Sequence, residues 1–290
     1  MTIKVPTRPR TVRPTRVLIG WIQARDVAEW VAEIPPGIAA HSEAIEHARR
    51  ARIAVASRPP NGTQTNPTVA VPKTLDAHLE KLRQVPDYIA MLTQGFTVAV
   101  ADLAELYALQ PNVSIDQAAQ RVATIDPDDL AALASLTLPI SSPAPISVHF
   151  DESEQTWAFS SPDPNLRILG RFNAELEPAG YGFGFSIGVV PSFMQVTCFR
   201  NRYFLRDGYH RAYGLLANGV RFIPVMMRDC RSDSEFALPA GMLTQVIVLG
   251  ERAPRLVDFF DDDVSATFGL SVADKVVTIQ GYEDFGPRDS

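Results

Sequence analysis

Residues 188–230, GVVPSFMQVTCFRNRYFLRDGYHRAYGLLANGVRFIPVMMRDC, constrain the fold more than any other stretch of the chain. Phe193 to Phe199 is rich in β-formers, and Arg200-Asn201 is a polar break where a hairpin can turn, with Asn able to take positive φ. Tyr203 to Arg206 resumes the strand pattern, and Asp207-Gly208 breaks it. From Tyr209 the period becomes helical: Ala212, Leu215 and Leu216 share one face. Asn218-Gly219 ends the helix, Gly219 suiting the left-handed position beyond it. Phe222 to Met227 reads as a short buried strand. The predicted order is strand, tight turn, strand, sharp turn, helix over Tyr209 to Asn218, strand.

Chemistry gathers at Asp207-Gly208-Tyr209-His210-Arg211. A glycine turn feeding a helix leaves backbone N–H groups without intrahelical partners, and the helix dipole adds partial positive charge there. His210 and Arg211 add donors and charge inside the first turn. Arg at that end is unfavourable for the helix itself, and a bound phosphate or carboxylate would compensate it. The plain structural alternative pairs Arg211 with a nearby Asp and buries His210 in the core.

Strand–Asp-Gly-x-His-Arg–helix–Gly–Ile-Pro–strand resembles the ParB/sulfiredoxin-like fold over about residues 188–228. The resemblance implies that Gly208, Tyr209, His210 and Arg211 line a nucleotide-phosphate site. It also has departures. Sulfiredoxins carry a reactive cysteine just before the His-Arg pair, and Tyr209 stands there, so sulfinic-acid repair is not expected. Partition-type ParB proteins carry a second arginine in the turn and an upstream Glu-Asn-x-x-Arg element. His210 replaces that arginine and the element is absent, which argues against a chromosome-partition CTP switch.

The 290 residues suffice for one large domain or two small ones, and the 46% hydrophobic and 21% charged composition is that of a globular chain. The basic N-terminus has no apolar core of a secretory signal, and no run of 18 apolar residues exists to span a membrane. Cys198 and Cys230 are too few for a disulfide framework and read as reduced core residues of a cytoplasmic protein. A net charge of −6 argues against broad nucleic-acid binding. The exception is the N-terminus, where Lys4, Arg8, Arg10, Arg13 and Arg16 precede the first acid, Asp26; nucleic acid would be reached only through this arm.

In order, residues 1–16 read as a basic flexible arm dispensable for folding, and 17–56 as a short helical segment. That segment opens with a strand at Val17–Ile22 and a capping box at Asp26–Glu29, then a helix from Ser42 to about Ile53 with a Glu46–Arg50 pair. Residues 57–73 read as a linker or exposed loop. Residues 74–144 read as helical, including Asp102 to Gln110, a capping box at Ser114–Gln117 and an N-cap at Asp126. With Arg121 outnumbered by acids there, a packing layer is preferred to a DNA-reading helix pair. Residues 145–290 are expected to form an α/β domain of the ParB/sulfiredoxin-like kind that the resemblance implies. Within it, GYGFGFSIG at 180–188 reads as a bent strand whose aromatics cover glycine gaps, against the alternative of a loop closing on a nucleotide. Asp261-Asp262-Asp263 reads as a solvated run rather than a Mg²⁺ site.

The expectation is an α+β protein whose mostly helical N-terminal half packs on that domain. It would bind a nucleotide or phosphate ester, with hydrolysis an open extension. Gly208 would admit the phosphate, Arg211 clamp it, and His210 donate a hydrogen bond or act as acid. Asp207 would hold Mg²⁺ or cap the helix, the cofactor being a nucleoside triphosphate with Mg²⁺. The rivals are a non-catalytic interaction or scaffold protein and a metal-dependent nuclease, whose metal ligands the sequence does not identify. No membrane partner is expected.

Overall fold

The structure, a computed structural model, describes residues 11–23, 41–141, 145–163, 165–177, 180–272 and 275–281. The capping box at 26–29 and the first ten residues of the arm lie outside them. The fold is α+β. The chain divides into two compact units: a core unit of residues 10–140 and 192–272, and an inserted unit of 141–191 with the segment after 272.

The core unit begins with β1 (Thr11–Val17), α1 (His41–Ser57), β2 (Thr68–Val69), α2 (Asp76–Leu82) and α3 (Pro86–Thr93). β3 (Thr97–Asp102), β4 (Tyr107–Ala108), β5 (Asn112–Ser114), α4 (Ile115–Val122) and α5 (Leu130–Thr137) follow. The inserted unit supplies β6 (Ser147–Asp151), β7 (Thr156–Ser161), β8 (Leu166–Leu176) and β9 (Gly180–Val189). The core unit resumes with β10 (Gln195–Phe199), β11 (Arg202–Asp207), α6 (Tyr209–Ala217), β12 (Phe222–Asp229), α7 (Asp233–Phe236), α8 (Gln245–Val248) and β13 (Ala266–Val272). β14 (Lys275–Gln280) returns to the inserted unit.

The 195–229 segment folds as its turn chemistry dictates. β10 and β11 pair antiparallel, and both turn residues, Arg200 (φ 51°) and Asn201 (φ 59°), are left-handed, the backbone a two-residue hairpin demands. α6 ends in a paired-bond cap: Val220 N–H donates to Leu215 O at 2.9 Å and Gly219 N–H to Leu216 O at 3.0 Å, with Gly219 at φ 79°. α6 buries Tyr209, Ala212 and Leu215, and burying one such leucine contributes about 1.5–3 kcal/mol. Gly214 lets α4 close on α6, because a Cβ there would lie 2.6 Å from Ala118 O.

The expected division of the chain does not hold. The six-stranded sheet runs β2-β3-β12-β10-β11-β4, so strands from the supposed helical half complete the sheet of the 195–229 segment. Of the span expected as helix at 102–110, only a single 3-10 turn at Leu103–Glu105 is helical, followed by β4. Leu103, Leu106, Tyr107, Ala108 and Leu109 are all buried, which leaves no solvent face for an amphipathic helix. The N-cap of α5 is Asp129, not Asp126: its carboxylate accepts from Ala131 N and Ala132 N, while Asp126 closes a turn onto Asp128 N.

The described part of the arm is not free either. β1 pairs along its length with β13 and through Thr15–Val17 with β5. Arg13 meets Asp116 at 2.7 Å, and Arg16 donates to Phe259 O at 2.6 Å and pairs with Asp262. Only Val17 of the strand expected at 17–22 belongs to β1; Ile19–Trp21 is a 3-10 turn. Glu46 pairs with Arg49, one residue earlier than expected. The supposed linker is tied down: Asn61 donates to Ala253 O, Gln64 bridges Glu105 O and Tyr203 N, and Arg58 pairs with Asp258 and Asp261.

In the inserted unit, β14-β7-β6 form one sheet and β8-β9 a second. GYGFGFSIG is β9, a strand along its whole length. Its gaps are covered from across the ladder: the Phe172 ring lies over Gly184, and a Cβ on Gly188 would stand 2.6 Å from Leu169 Cδ1.

Candidate functional site

β11 delivers Asp207 to the edge of the sharp turn, and Gly208 (φ 100°, ψ 23°) reverses the chain into α6. Glycine is required twice over, by the left-handed backbone and because a Cβ would lie 2.5 Å from Met194 Cγ. The first turn of α6 has no acidic residue and no side-chain cap.

Tyr209 does not face the turn. Its hydroxyl donates to Leu205 O and accepts from Leu109 N–H at 2.6 Å, and burial pushes its ionisation far up. It ties α6 to β11 and to the chain beyond β4. The expected ligand role for Tyr209 is therefore corrected to a core role, because its side chain points inward.

Arg211 is also drawn inward, to 4% exposure. Its Nη1 donates to Ser192 O at 2.6 Å and Leu136 O at 3.0 Å, and its Nη2 to Ser192 Oγ at 3.1 Å. Leu136 O belongs to the last turn of α5, whose carbonyls lack intrahelical partners and favour a cation. The Ser192 hydroxyl in turn donates to Asp207 Oδ2 at 3.0 Å. Asp207, Ser192 and Arg211 thus form one hydrogen-bonded chain beside the start of α6. The expected phosphate clamp is already a structural tie, holding the end of α5 and the entry to β10.

His210 is partly buried. Burial lowers its pKa to about 4, Arg121 and Arg211 push the same way, and Asp116 and Asp207 oppose them. The ring is neutral at neutral pH, which corrects its expected role as an acid: it can donate or accept a hydrogen bond but has no labile proton to give. Asp116, the acid that raises His210 most, is paired with Arg13 of the docked strand.

No group of three His, Cys, Asp or Glu among the described residues could hold a metal ion. Asp261 and Asp262 of the acidic run are engaged by Arg58 and Arg16. Cys198 and Cys230 are free thiols, and burial raises the pKa of Cys198, as Asp229 does, leaving it a poor nucleophile. No helix among the described residues is long and apolar enough to cross a membrane.

No family model matches the chain. No curated protein and no solved structure matches it either.

The turn thus assembles Asp207, Gly208, His210 and Arg211, while Tyr209 leaves it. It also gains Ser192 and the Leu136 carbonyl, which sequence reasoning missed. Ser192 follows Pro191 at the return from the inserted unit, and only its place beside the strand start could have marked it.

Proposed function

We propose that the protein binds a phosphate ester or nucleotide at the Asp207–Arg211 turn, on a ParB/sulfiredoxin-like arrangement of β10, β11, α6 and β12. The observation that carries this reading is the composition of the α6 first turn. It opens on a left-handed glycine, offers backbone N–H groups with no acid or side-chain cap, and holds a buried guanidinium behind them. Arg211 acts there by its field and by fixing Ser192, whose hydroxyl holds Asp207 at the turn. Neutral His210 would donate to an equatorial oxygen. A Mg²⁺ would come with the triphosphate, with Asp207 the carboxylate at the turn. This is equipment for holding a phosphate, and hydrolysis would have to come from a water oriented by Asp207.

The test is calorimetric titration of the full chain with nucleoside triphosphates and inorganic phosphate, with and without Mg²⁺. Saturable binding that falls more than tenfold in Ser192→Ala and His210→Ala supports the site. If no phosphate compound titrates or raises the thermal midpoint, the reading is abandoned. The second reading, an interaction protein, is favoured by the exposed aromatic face of the inserted unit.

A further inference from the structure

Two strands of the inserted unit alternate aromatic with small residues. In β7, Trp157 and Phe159 are two apart and share a face; the register sets Phe150 and Ile279 beside Trp157, and Val148 beside Phe159. In β9, Phe183 and Phe185 alternate with Gly182, Gly184 and Ser186, so both rings leave the same side of the ribbon. The two sets of rings do not close on each other. They line an open groove of about 1150 Å³, one wall from the three-stranded sheet and the other from the β8-β9 ribbon. Every lining residue belongs to the inserted unit. On the sheet wall, the Phe150 and Trp157 centroids lie 4.6 Å apart and those of Trp157 and Phe159 6.5 Å, with planes 34° and 28° from parallel. Trp157 is left 46% and Phe183 72% exposed.

The chemistry of the lining selects the occupant. No charged side chain belongs to it. A phosphate, carboxylate or ammonium would find no counter-charge there, and a nucleic-acid strand nothing for its backbone. Its polar side chains are two amides, Gln155 and Gln280, at one end, where Gly281 N–H donates to Gln155 O at 3.3 Å. Gln155 Nε2 donates to Glu152 O at 2.7 Å and Gln280 Nε2 to Glu154 O at 3.1 Å. A carbonyl only accepts, so each NH₂ is turned to the backbone, and each Oε1, with no partner among the described residues, is left as an acceptor. Between that end and Val148 the groove offers only rings and aliphatic groups, too few polar partners for a sugar chain. Two facing walls also suit a molecule that slips between them, where a protein partner needs a broad face. Small-molecule sites have this composition, mostly apolar with a few convergent polar groups, at volumes of roughly 300–1,000 Å³.

We propose that the groove binds an uncharged small molecule built on aromatic or fused rings. Its ring system lies between Trp157 and the Phe183–Phe185 wall, and a hydroxyl at one end donates to the side-chain carbonyls of Gln155 and Gln280. This inference does not depend on the phosphate site.

The test is fluorescence titration of the full chain with N-phenyl-1-naphthylamine, an uncharged aromatic probe that brightens on leaving water. Displacement by 1-naphthol, naphthalene and 1-naphthoate follows. One probe should saturate each chain, and binding should weaken about tenfold in Phe183→Ser and in Val148→Asp, one change in each wall. Val246→Ser, at an apolar side chain of the core unit that is 82% exposed, should leave binding unchanged. Both wall positions are exposed, and an unaltered thermal midpoint checks that each variant is folded. 1-Naphthol should displace the probe at lower concentration than naphthalene, an advantage reduced in Gln280→Leu, and 1-naphthoate should need far more. The proposal is overturned if no probe saturates, if folded wall variants bind as the wild type does, or if naphthalene or the naphthoate anion competes as well as 1-naphthol. It is also overturned if probe affinity falls as protein concentration rises, which would assign the groove to a second copy.

Discussion

Arg211 carries the sharpest prediction at the scale of single residues. A cation in a first helical turn opposes the dipole, so the local sequence suggests that removing it is harmless. The structure reverses the sign, because Leu136 O and both Ser192 oxygens lie around its guanidinium. Arg211→Ala strands buried acceptors at about 1–3 kcal/mol each, so urea unfolding should show a loss on the order of 3 kcal/mol. Arg211→Lys, keeping the charge without the fork, should fall between. An unchanged midpoint in Arg211→Ala would remove the structural tie. His210 gives a pH signature. Its folded pKa, about 4, lies below the unfolded value near 6.5, so the unfolded chain binds the extra proton between them. The stability it contributes is complete above about pH 6.5 and is lost as pH falls toward 4. His210→Gln should flatten that part of the stability profile, measured by urea melts from pH 4 to 7.5.

Among the elements, β1 and the α4–α6 contact can each be broken separately. A chain shortened to begin at Thr11 should keep its fold. One begun at Leu18 loses the middle strand of β13-β1-β5 together with the Arg13–Asp116 and Arg16–Asp262 pairs. Its thermal midpoint should drop by many degrees; retention would mean the strand is ornamental. Gly214→Ala forces a Cβ against Ala118 O and should cost about 1–3 kcal/mol in denaturant unfolding. These cases also show what the sequence displays. β10, β11, α6 and β12 were legible because Asn201, Gly208 and Gly219 stand at their ends and the bonds that shape them are local. β1 was not, because its partners lie about 100 and 250 residues away and its arginines look unopposed until Asp116 and Asp262 are brought beside them. The chain from Leu103 to Leu109 was misread because its four residues from Leu106 to Leu109 are all buried, a run that suits a strand as well as a helix. At the candidate site the glycine turn was visible, but the partners of Arg211 were not, since nothing local announces Leu136 or Ser192.

For the molecule as a whole, the inserted unit interrupts the core unit between α5 and β10, and the chain leaves the core again after β13. The six-stranded sheet therefore needs residues from both sides of the interruption. A chain truncated after Ser265 would lack β13 and should be recovered mainly as aggregate, whereas the full chain under the same expression conditions should not. During synthesis β1 can pair with β5 once residue 114 has emerged, but its other edge waits for Ala266. At about 5–20 residues per second that wait is roughly 8–30 s. Throughout it the nascent chain displays a strand edge of seven residues, Thr11 to Val17, open to any neighbouring polypeptide. Pro14 removes one donor from the strand, and Arg13 and Arg16 add charge along it. The same residues that tie the finished strand to its acids would thus discourage polysomes from tangling while its last partner is still on the ribosome.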